Sequence, residues 1–414
     1  MVIVAAAGLA LMPDRSATAA SIETAAWGFS GDIRERATYA SALDFDENAP
    51  ETGSFWTQRL RMTADYGDNE YLAGRLSFLS ALQTGLEANP VEQNLLDFQE
   101  AWLQLRFDGV ALRMGRQEIV LGSQRLLGSR DGTNVRRNWD GARATFDASG
   151  WRVDVFGLQL VDVEPNGVFN DSSDDDRIVA GVYATGDASW TGLDLYYLYA
   201  HFDERLTIEG LANQDRHSIG VRGFGESGKA FWNWEAVYQF GRHGADDIDA
   251  WTLATNTGVQ LDGAWSPRVM LSVNIASGDT TPGDGKLETF DALYPRGNYF
   301  SELAQLGPAN FFNVNPYLTV TPTDGVTMQF DLNLYWRLET SDGIYGPAGN
   351  LIRLPGDSDE RFVNTALSAS IEWELDRHFL LGLALTHSRP EAFIEDTGPA
   401  DISNFAQFTF EARF

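Results

Sequence analysis

Apolar and polar side chains alternate along most of this chain. In MQFDLNLYWRLE, from Met328 to Glu339, every second residue is apolar and the residues between them are mostly polar. The segment 232–240, WNWEAVYQF, and the last residues, Phe408 to Phe414, show the same period of two. Because successive side chains of a strand point to opposite faces, these segments are predicted to be β-strands with one apolar face.

About eighteen such segments follow one another along the chain. The connections between them alternate between short ones, such as Asp108-Gly109, and long ones, such as residues 119–138 and 278–310. No helical period lasts for more than a turn or two. This pattern predicts an all-β fold, an antiparallel up-and-down β-barrel with tight turns at one end and long loops at the other. The segments begin near residues 27, 55, 71, 97, 110, 139, 150, 177, 190, 216, 230, 248, 266, 311, 325, 362, 378 and 404.

The apolar face of these strands indicates a membrane location. A transmembrane barrel closes every strand edge and turns its apolar face to lipid, with short periplasmic turns and long extracellular loops. A soluble β-sandwich or propeller would also alternate, but water on one side of each sheet disfavours so many large aromatics there. A propeller should also show a blade repeat, and none is visible. Aromatic residues near strand ends are expected to form the interfacial girdles, namely Trp102, Trp151, Trp190, Tyr197, Trp251, Trp336 and Trp373.

The two ends of the chain carry their own signals. An apolar run at residues 2–12 is followed by the small residues Ala17-Thr18-Ala19-Ala20, which resembles a secretory signal peptide without its basic start. We therefore expect residues 1–20 to be a partial signal segment, with a disordered tail as the alternative, and residues 21–414 to be one barrel domain. The final Phe414 looks like the signal read by the outer-membrane assembly machinery, although an ordinary last strand could also end in Phe.

Composition narrows the classes of function. The formal net charge is −29 and there is no cysteine, which argues against nucleic acid as a partner and excludes disulfides and thiolate metal sites. The five histidines lack zinc-motif spacing, and neither a G-x-S-x-G elbow nor a Walker loop occurs. We therefore expect no enzyme, no catalytic residue, no metal and no cofactor. The acidic run at residues 171–176 is expected to be a solvated loop rather than a calcium site.

Arginine is the informative cation, because the chain has 30 basic residues and only Lys229 and Lys286 are lysine. Arginine stays charged and matches a carboxylate with two hydrogen bonds, so arginines in a lumen attract anions. The loop 119–138 contains three glycines and is expected to fold into the lumen and narrow it. The alternative is that arginine–acid ladders act as scaffold. The candidate pore-lining residues are Arg75, Arg113, Arg116, Arg125, Arg130, Arg136, Arg137, Arg143, Arg152 and Arg337.

Several short motifs carry a resemblance to a known family. The runs Gly115-Arg116-Gln117, Asp131-Gly132-Thr133-Asn134 and Asn138-Trp139 resemble the alginate-export family of outer-membrane β-barrels. So does Leu306-Gly307-Pro308-Ala309-Asn310, with Pro316 and Leu318 downstream. The resemblance extends over nearly the whole chain from about residue 28. It implies an 18-strand barrel that acts as a passive channel for an anionic polysaccharide and is lined at its constriction by arginines.

Three hypotheses of function remain open. The first is an anion-selective outer-membrane channel of a Gram-negative bacterium for an anionic, alginate-like polysaccharide or oligosaccharide. The second is a general porin for small solutes in which the lumen arginines are structural. The third is a barrel without a channel, acting as an adhesin or a rim enzyme. The expected partners are the anionic sugar, outer-membrane lipid and lipopolysaccharide, and the assembly machinery, and we expect a monomer.

Overall fold

The chain forms a closed β-barrel in a computed structural model, which describes residues 26–49, 52–67, 71–188, 190–297, 300 and 303–414. Within these residues, eighteen antiparallel strands of 8 to 18 residues follow one another around the ring. The first strand pairs with both the second and the last, so the sheet has no free edge. The expected signal segment, residues 1–20, lies outside the described residues.

The predicted strand number and the barrel topology are confirmed. Three further short strands, β14 (Lys286–Leu287), β17 (Ile344–Tyr345) and β18 (Leu351–Arg353), and one short helix, α1 (Ala392–Thr397), lie in the long loops. In the described residues, no helix has the length and apolar character needed to cross a membrane. The barrel strands are β1 (Ala26–Ser41), β2 (Gly53–Gly67), β3 (Leu72–Thr84), β4 (Asn94–Phe107), β5 (Val110–Gln117), β6 (Trp139–Ala148), β7 (Trp151–Asp162), β8 (Ser172–Ala188), β9 (Thr191–Thr207), β10 (Gly210–Ser227), β11 (Ala230–His243), β12 (Asp246–Gln260), β13 (Arg268–Ala276), β15 (Phe311–Thr323), β16 (Val326–Trp336), β19 (Phe362–Glu374), β20 (Phe379–Pro390) and β21 (Ser403–Arg413).

Short turns occupy the end of the barrel that carries Phe414. In Asp108-Gly109 the φ angles are 48° and 79°, and in Ser149-Gly150 they are 52° and 85°. Positive φ at both central residues is the two-residue hairpin geometry that follows the natural twist of the strands. The sequence pattern had identified the Asp108-Gly109 turn correctly.

The opposite end carries the long loops, but two of its connections are short. Strands β9 and β10 are joined by residues 208–209, and strands β11 and β12 by residues 244–245. Strand β10 therefore begins at Gly210 and not near residue 216, where the alternation had placed it. The acidic run at residues 171–176, expected to be a loop, mostly forms the start of β8 at this end.

The two faces of the wall differ as the alternation predicted. In β11, Trp234 and Tyr238 are 43% and 47% exposed on the outer face, whereas Glu235 and Gln239 are buried on the inner face. The aromatic Trp102 corrects one expectation. It lies directly opposite the lumen-facing Arg75, while its neighbours Leu103 and Leu105 take the outer face. Trp102 therefore points into the barrel and not into an interfacial girdle.

The main hydrophobic core lies inside the barrel. It joins inward residues of the barrel strands, such as Trp139 and Leu198, to residues of the long loops, such as Leu127, Tyr294 and Phe393. We call this cluster the lumen plug. The indole of Trp139 and the phenol of Tyr294 meet edge to face, with ring centroids 4.7 Å apart. Burial of these side chains holds the loops inside the barrel. The alternation alone indicated a polar inner face, but the inner face is apolar where it contacts these loops.

Candidate functional site

Residues 118–138, here called the inner loop, cross the lumen. The loop connects β5 to β6. Asn134 near its end donates a hydrogen bond of 2.9 Å to the carbonyl oxygen of Gln58 on β2. On the other side, Nε of Arg125 donates to the carboxylate of Glu235 on β11 at 3.1 Å. Because β2 and β11 lie on opposite sides of an eighteen-strand ring, the loop spans the barrel and narrows it.

The tip of the inner loop is fixed to the opposite wall. Glu235 is buried, and it accepts hydrogen bonds from Ser123, Arg125 and Tyr196. Next to them, Gly122 has a φ of 51°, and a Cβ atom there would lie only 2.2 Å from Oη of Tyr183. Glycine is therefore required where the loop touches β8.

The base of the inner loop is held by a series of ion pairs. Arg136 lies between the carboxylates of Glu118 and Asp131, and its side chain is only 11% exposed. Asp131 also lies 3.4 Å from Arg59, which in turn pairs with Asp32 at 3.2 Å. Glu118, Asp131 and Arg136 all belong to the inner loop, so in this series the contact of Asp131 with Arg59 joins the loop to β2. Asp131 is 60% exposed, and water screens this pair.

Arg137 holds the inner loop through backbone carbonyl groups, and Arg130 donates to the carbonyl oxygen of Val135 within the loop at 3.4 Å. Arg137 donates to the carbonyl oxygens of Gly128 at 3.2 Å and Pro295 at 3.0 Å, and its guanidinium lies 5.2 Å from the Tyr294 ring centroid. Burial and the adjacent Arg130 lower the pKa of Arg137 to about 9. Burial lowers the pKa of Arg130 to about 10. These contacts join the inner loop to the loop of residues 277–310.

A different group of arginines faces the lumen from the wall itself. We call Arg106, Arg113, Arg143 and Arg152 the arginine strip. They lie on β4 to β7, in the half of the barrel near the short turns. Arg143 pairs with Asp154 at 2.9 Å. For the other three, no ion pair with a described residue occurs, although Asp147 on β6 is directly opposite Arg152 and Glu100 acts on Arg113 at longer range. Among the described residues, the strip therefore has four guanidinium groups and one direct ion pair.

Three further candidates from the sequence occupy different places. Arg75 faces the lumen and pairs with Asp65 at 2.7 Å and Glu100 at 3.0 Å. Arg116 shares a face of β5 with Met114, which is 47% exposed on the outside. Its guanidinium pairs with Asp140 at 2.9 Å. Since side chains alternate along a strand, Arg116 is on the opposite face from Arg113 and is removed from the proposed pore lining.

Arg337 lies among the long loops just after β16. It is fully buried, donates to the carbonyl oxygen of Glu360 at 2.6 Å and lies 4.1 Å from the Phe393 ring centroid. Arg337 therefore contributes to loop packing. Among the residues that the structure describes, no three His, Cys, Asp or Glu side chains are grouped so that they could hold a metal ion.

Comparison with known proteins gives a family and a fold. The family model described as "Alginate export" matches residues 26–407. None of the curated proteins compared with the chain matches it significantly.

Solved structures share the architecture at low sequence identity. Pseudomonas aeruginosa OccD3 (OpdP) is 11% identical with a TM-score of 0.66, over 95% of this chain and 93% of that one. A BenF-like porin from Pseudomonas fluorescens Pf-5 is 10% identical with a TM-score of 0.65, over 94% and 98%. Pseudomonas aeruginosa OccK2 (OpdF) in complex with glucuronate is 12% identical with a TM-score of 0.62, over 94% and 98%.

Proposed function

The chain belongs to the alginate export family, and from this membership we propose a passive, anion-selective channel for an alginate-like polysaccharide or oligosaccharide. Family and fold are those of channels in the outer membrane of Gram-negative bacteria, a class without enzymatic activity. In such a barrel the short turns face the periplasm and the long loops face the outside. The arginine strip then lies in the periplasmic half of the lumen.

The arginine strip is the observation that carries the proposal. Arg106, Arg113 and Arg152 face the lumen without a direct ion pair to a described carboxylate, while Asp147 lies opposite Arg152 and Glu100 acts on Arg113 at longer range. A guanidinium is weakly hydrated and presents a fork that matches a carboxylate. A row of such groups draws anions into the lumen, while no single contact is strong enough to stop their exit.

The fold similarity agrees with this class of solute. OccK2, a barrel of the same architecture, is described in complex with glucuronate, a carboxylated sugar. At 12% identity that similarity concerns the fold alone. The substrate of this chain is therefore argued from its own lumen residues.

A general porin for small solutes is the second candidate. It is favoured by the arginines of the inner loop, because Arg125 and Arg136 pair with Glu235 and Glu118 and act as scaffold. Under that function the arginine strip would shape the wall without selecting a solute.

Single-channel recording in planar bilayers separates these functions. For the proposed channel, a salt gradient yields a reversal potential on the anion side, and uronate oligomers interrupt the current more than neutral maltooligosaccharides of equal length. A weakly selective current without block by uronates would support the general porin. A folded barrel without conductance would contradict both and leave an adhesin or a rim enzyme.

The remaining expectations concern assembly. We propose that Phe414 is recognised by the outer-membrane assembly machinery, that lipid and lipopolysaccharide surround the apolar outer face, and that the barrel is a monomer. Phe414 is favourably placed for this role, because its backbone exchanges hydrogen bonds of 2.8 and 3.0 Å with Gly31 at the closing seam.

A further inference from the structure

A tryptophan faces the lumen in the middle of the arginine strip. Trp102 on β4 is half-buried, and Nε1 of its indole donates to Glu100 at 3.1 Å. The guanidinium of Arg113 lies against the indole, with Cζ 3.9 Å from the ring centroid. Arg75 approaches the same ring at 5.8 Å. Stacking of this kind holds a guanidinium in a fixed plane.

Arg113 forms no direct ion pair with a described carboxylate, and Glu100 acts on its charge only at longer range. Its Nε and Nη2 atoms donate only to the amide oxygen of Gln104, at 3.2 and 3.0 Å. The residue directly opposite on β6 is Arg143, which pairs with Asp154. Like charges opposite each other on neighbouring strands are unfavourable for the fold alone. An external carboxylate would relieve this repulsion.

The wall beside Trp102 carries no side chain on the next two strands. Trp102 is opposite Gly115 on β5, and Gly115 is opposite Gly141 on β6. A Cβ atom at Gly115 would lie 2.3 Å from the carbonyl oxygen of Ala101, so a larger residue is excluded there. Two neighbouring strand positions without side chains span about 10 Å across the sheet. This width leaves room for one sugar ring next to the indole.

From these observations we propose that Trp102, Arg113 and the bare glycine positions form a subsite for one uronate residue of a passing sugar chain. The sugar carboxylate binds the guanidinium of Arg113. The C–H face of the sugar ring packs on the apolar surface of the stacked pair, since Trp combines a large apolar area with a polar edge. The inference rests on the proposed function, because it assigns a place to the anionic sugar of that channel.

The combination of groups determines the chemical class of the ligand. A small inorganic anion would use the cation but not the indole, and a neutral sugar would use the indole but not the cation. The site also lies close to the narrowing of the lumen. Glu100, which accepts the indole hydrogen bond, also accepts one at 3.5 Å from the backbone of Glu118 at the base of the inner loop. A uronate bound here is held just on the periplasmic side of the inner loop.

The test measures how long trigalacturonate blocks single channels of the full-length protein in planar bilayers, with maltotriose as the neutral comparison. Trp102→Ala is expected to shorten the block by trigalacturonate about fivefold. Trp102→Phe, which keeps an aromatic face, is expected to stay within about twofold of the wild type. Arg113→Gln is expected to remove most of the difference between trigalacturonate and maltotriose.

Control variants separate the subsite from general effects. Trp373→Ala removes a tryptophan from the outer face, where the residue is 46% exposed, and should leave the block unchanged. Heat-modifiable migration in gel electrophoresis verifies that each variant forms a barrel. If Trp102→Ala does not form a barrel, the durations of block in Trp102→Phe and Arg113→Gln still test the subsite.

The outcomes also distinguish the subsite from the function. The wild type and Trp102→Ala could both be anion-selective and be blocked by trigalacturonate for equal times. This result would overturn the subsite alone. Equal block by maltotriose and trigalacturonate would also overturn it. A wild-type channel without anion preference or uronate block would contradict the proposed function as well.

Discussion

Arg113 and Arg143 lie directly opposite each other on strands β5 and β6, and both face the lumen. Asp154 pairs with Arg143 at 2.9 Å, whereas the direct contacts of Arg113 are the neutral amide of Gln104 and the indole of Trp102. Two cations in such positions weaken a sheet unless an anion joins them. The arrangement is therefore costly for the fold and useful for a channel that admits anions.

Arg113 is expected to contribute directly to anion selectivity. Arg113→Gln should lower the anion-to-cation permeability ratio by roughly twofold to threefold, because one of several fixed charges is lost in a screened aqueous lumen. Reversal potentials in a potassium chloride gradient measure this ratio. Arg389→Gln is a matched control, since Arg389 is 62% exposed at the end of β20 and pairs with Glu391 outside the lumen. An unchanged ratio in Arg113→Gln would count against the arginine strip.

Arg136 is expected to control the position of the inner loop. Arg136→Ala leaves Glu118, whose side chain is 11% exposed, without its cation, and losing one partner of such a largely buried pair costs about 3–5 kcal/mol. The base of the loop should then detach, and the single-channel current should become larger and noisier. Recording with Arg389→Ala as control measures both quantities. Quiet currents of wild-type size would show that other contacts are sufficient to hold the loop.

Trp139 is expected to be the central side chain of the lumen plug. It is 1% exposed and meets Tyr294 edge to face. Trp139→Ala should destabilise the folded protein by about 3–5 kcal/mol through the cavity that it leaves. Urea unfolding in detergent micelles measures the change, with Trp251→Ala on the lipid face, 41% exposed, as the control. Similar stability of the two variants would argue that the plug contributes little.

Gly31 is expected to be required at the seam that closes the barrel. A Cβ atom there would lie 2.5 Å from the Phe414 ring and 2.7 Å from the carbonyl oxygen of Arg61. Gly31→Ala should therefore destabilise closure by about 1–3 kcal/mol and lower the fraction of folded barrel in gel electrophoresis. Gly28→Ala is the matched control, because the nearest atom to its Cβ is 3.9 Å away. Equal folding of both variants would contradict the steric argument.

Acidification is expected to strengthen the contact between two long loops. The backbone amide of Asp279 donates to Asp342 at 2.9 Å and joins the loop 277–310 to the loop 337–361. Burial, together with the nearby carboxylates of Glu209 and Asp342, raises the pKa of Asp279 to about 7. The pKa of Asp279 is higher in the folded chain than in the unfolded chain, where it is about 3.9. The protonated carboxyl group of Asp279 therefore stabilises the folded loops fully below pH 4. This stabilisation is lost as the pH rises through 7.

Hydrogen exchange of these two loops measures that effect. Protection in the wild type should be greater at pH 5 than at pH 8. Asp279→Asn, which cannot ionise, should remain protected at both pH values. Equal protection factors of these loops at pH 5 and pH 8 in the wild type would contradict the role of Asp279.

The strands of the barrel wall could be predicted because the alternation of apolar and polar side chains is visible within a few neighbouring residues. The alternation around Trp336 or Trp234 can be read from neighbouring residues, and closure follows from the need to satisfy strand edges in lipid. The same rule would have placed Trp102 inside, since it shares parity with Arg106, but its residue type suggested an interfacial girdle. Parity also places Arg116 on the opposite face from Arg113.

The interior was not predictable to the same degree, because its contacts join residues far apart in the chain. Arg125 contacts Glu235, which is 110 positions away in the sequence, and Arg137 contacts Pro295, which is 158 positions away. Alternation reports which way a side chain points but not what covers it. For this reason the inner-loop arginines, which the sequence indicates as pore lining, make structural contacts that only the folded chain reveals.

The lumen plug also constrains the order of events during biogenesis. Its residues run from Phe45 near the first strand to Ile394 near the last, so neither end of the chain alone can complete it. A nascent wall that is still open would leave these groups in contact with water. The lumen plug is therefore complete only when the first and the last strand have both joined the barrel, and the width of the lumen is set at that stage.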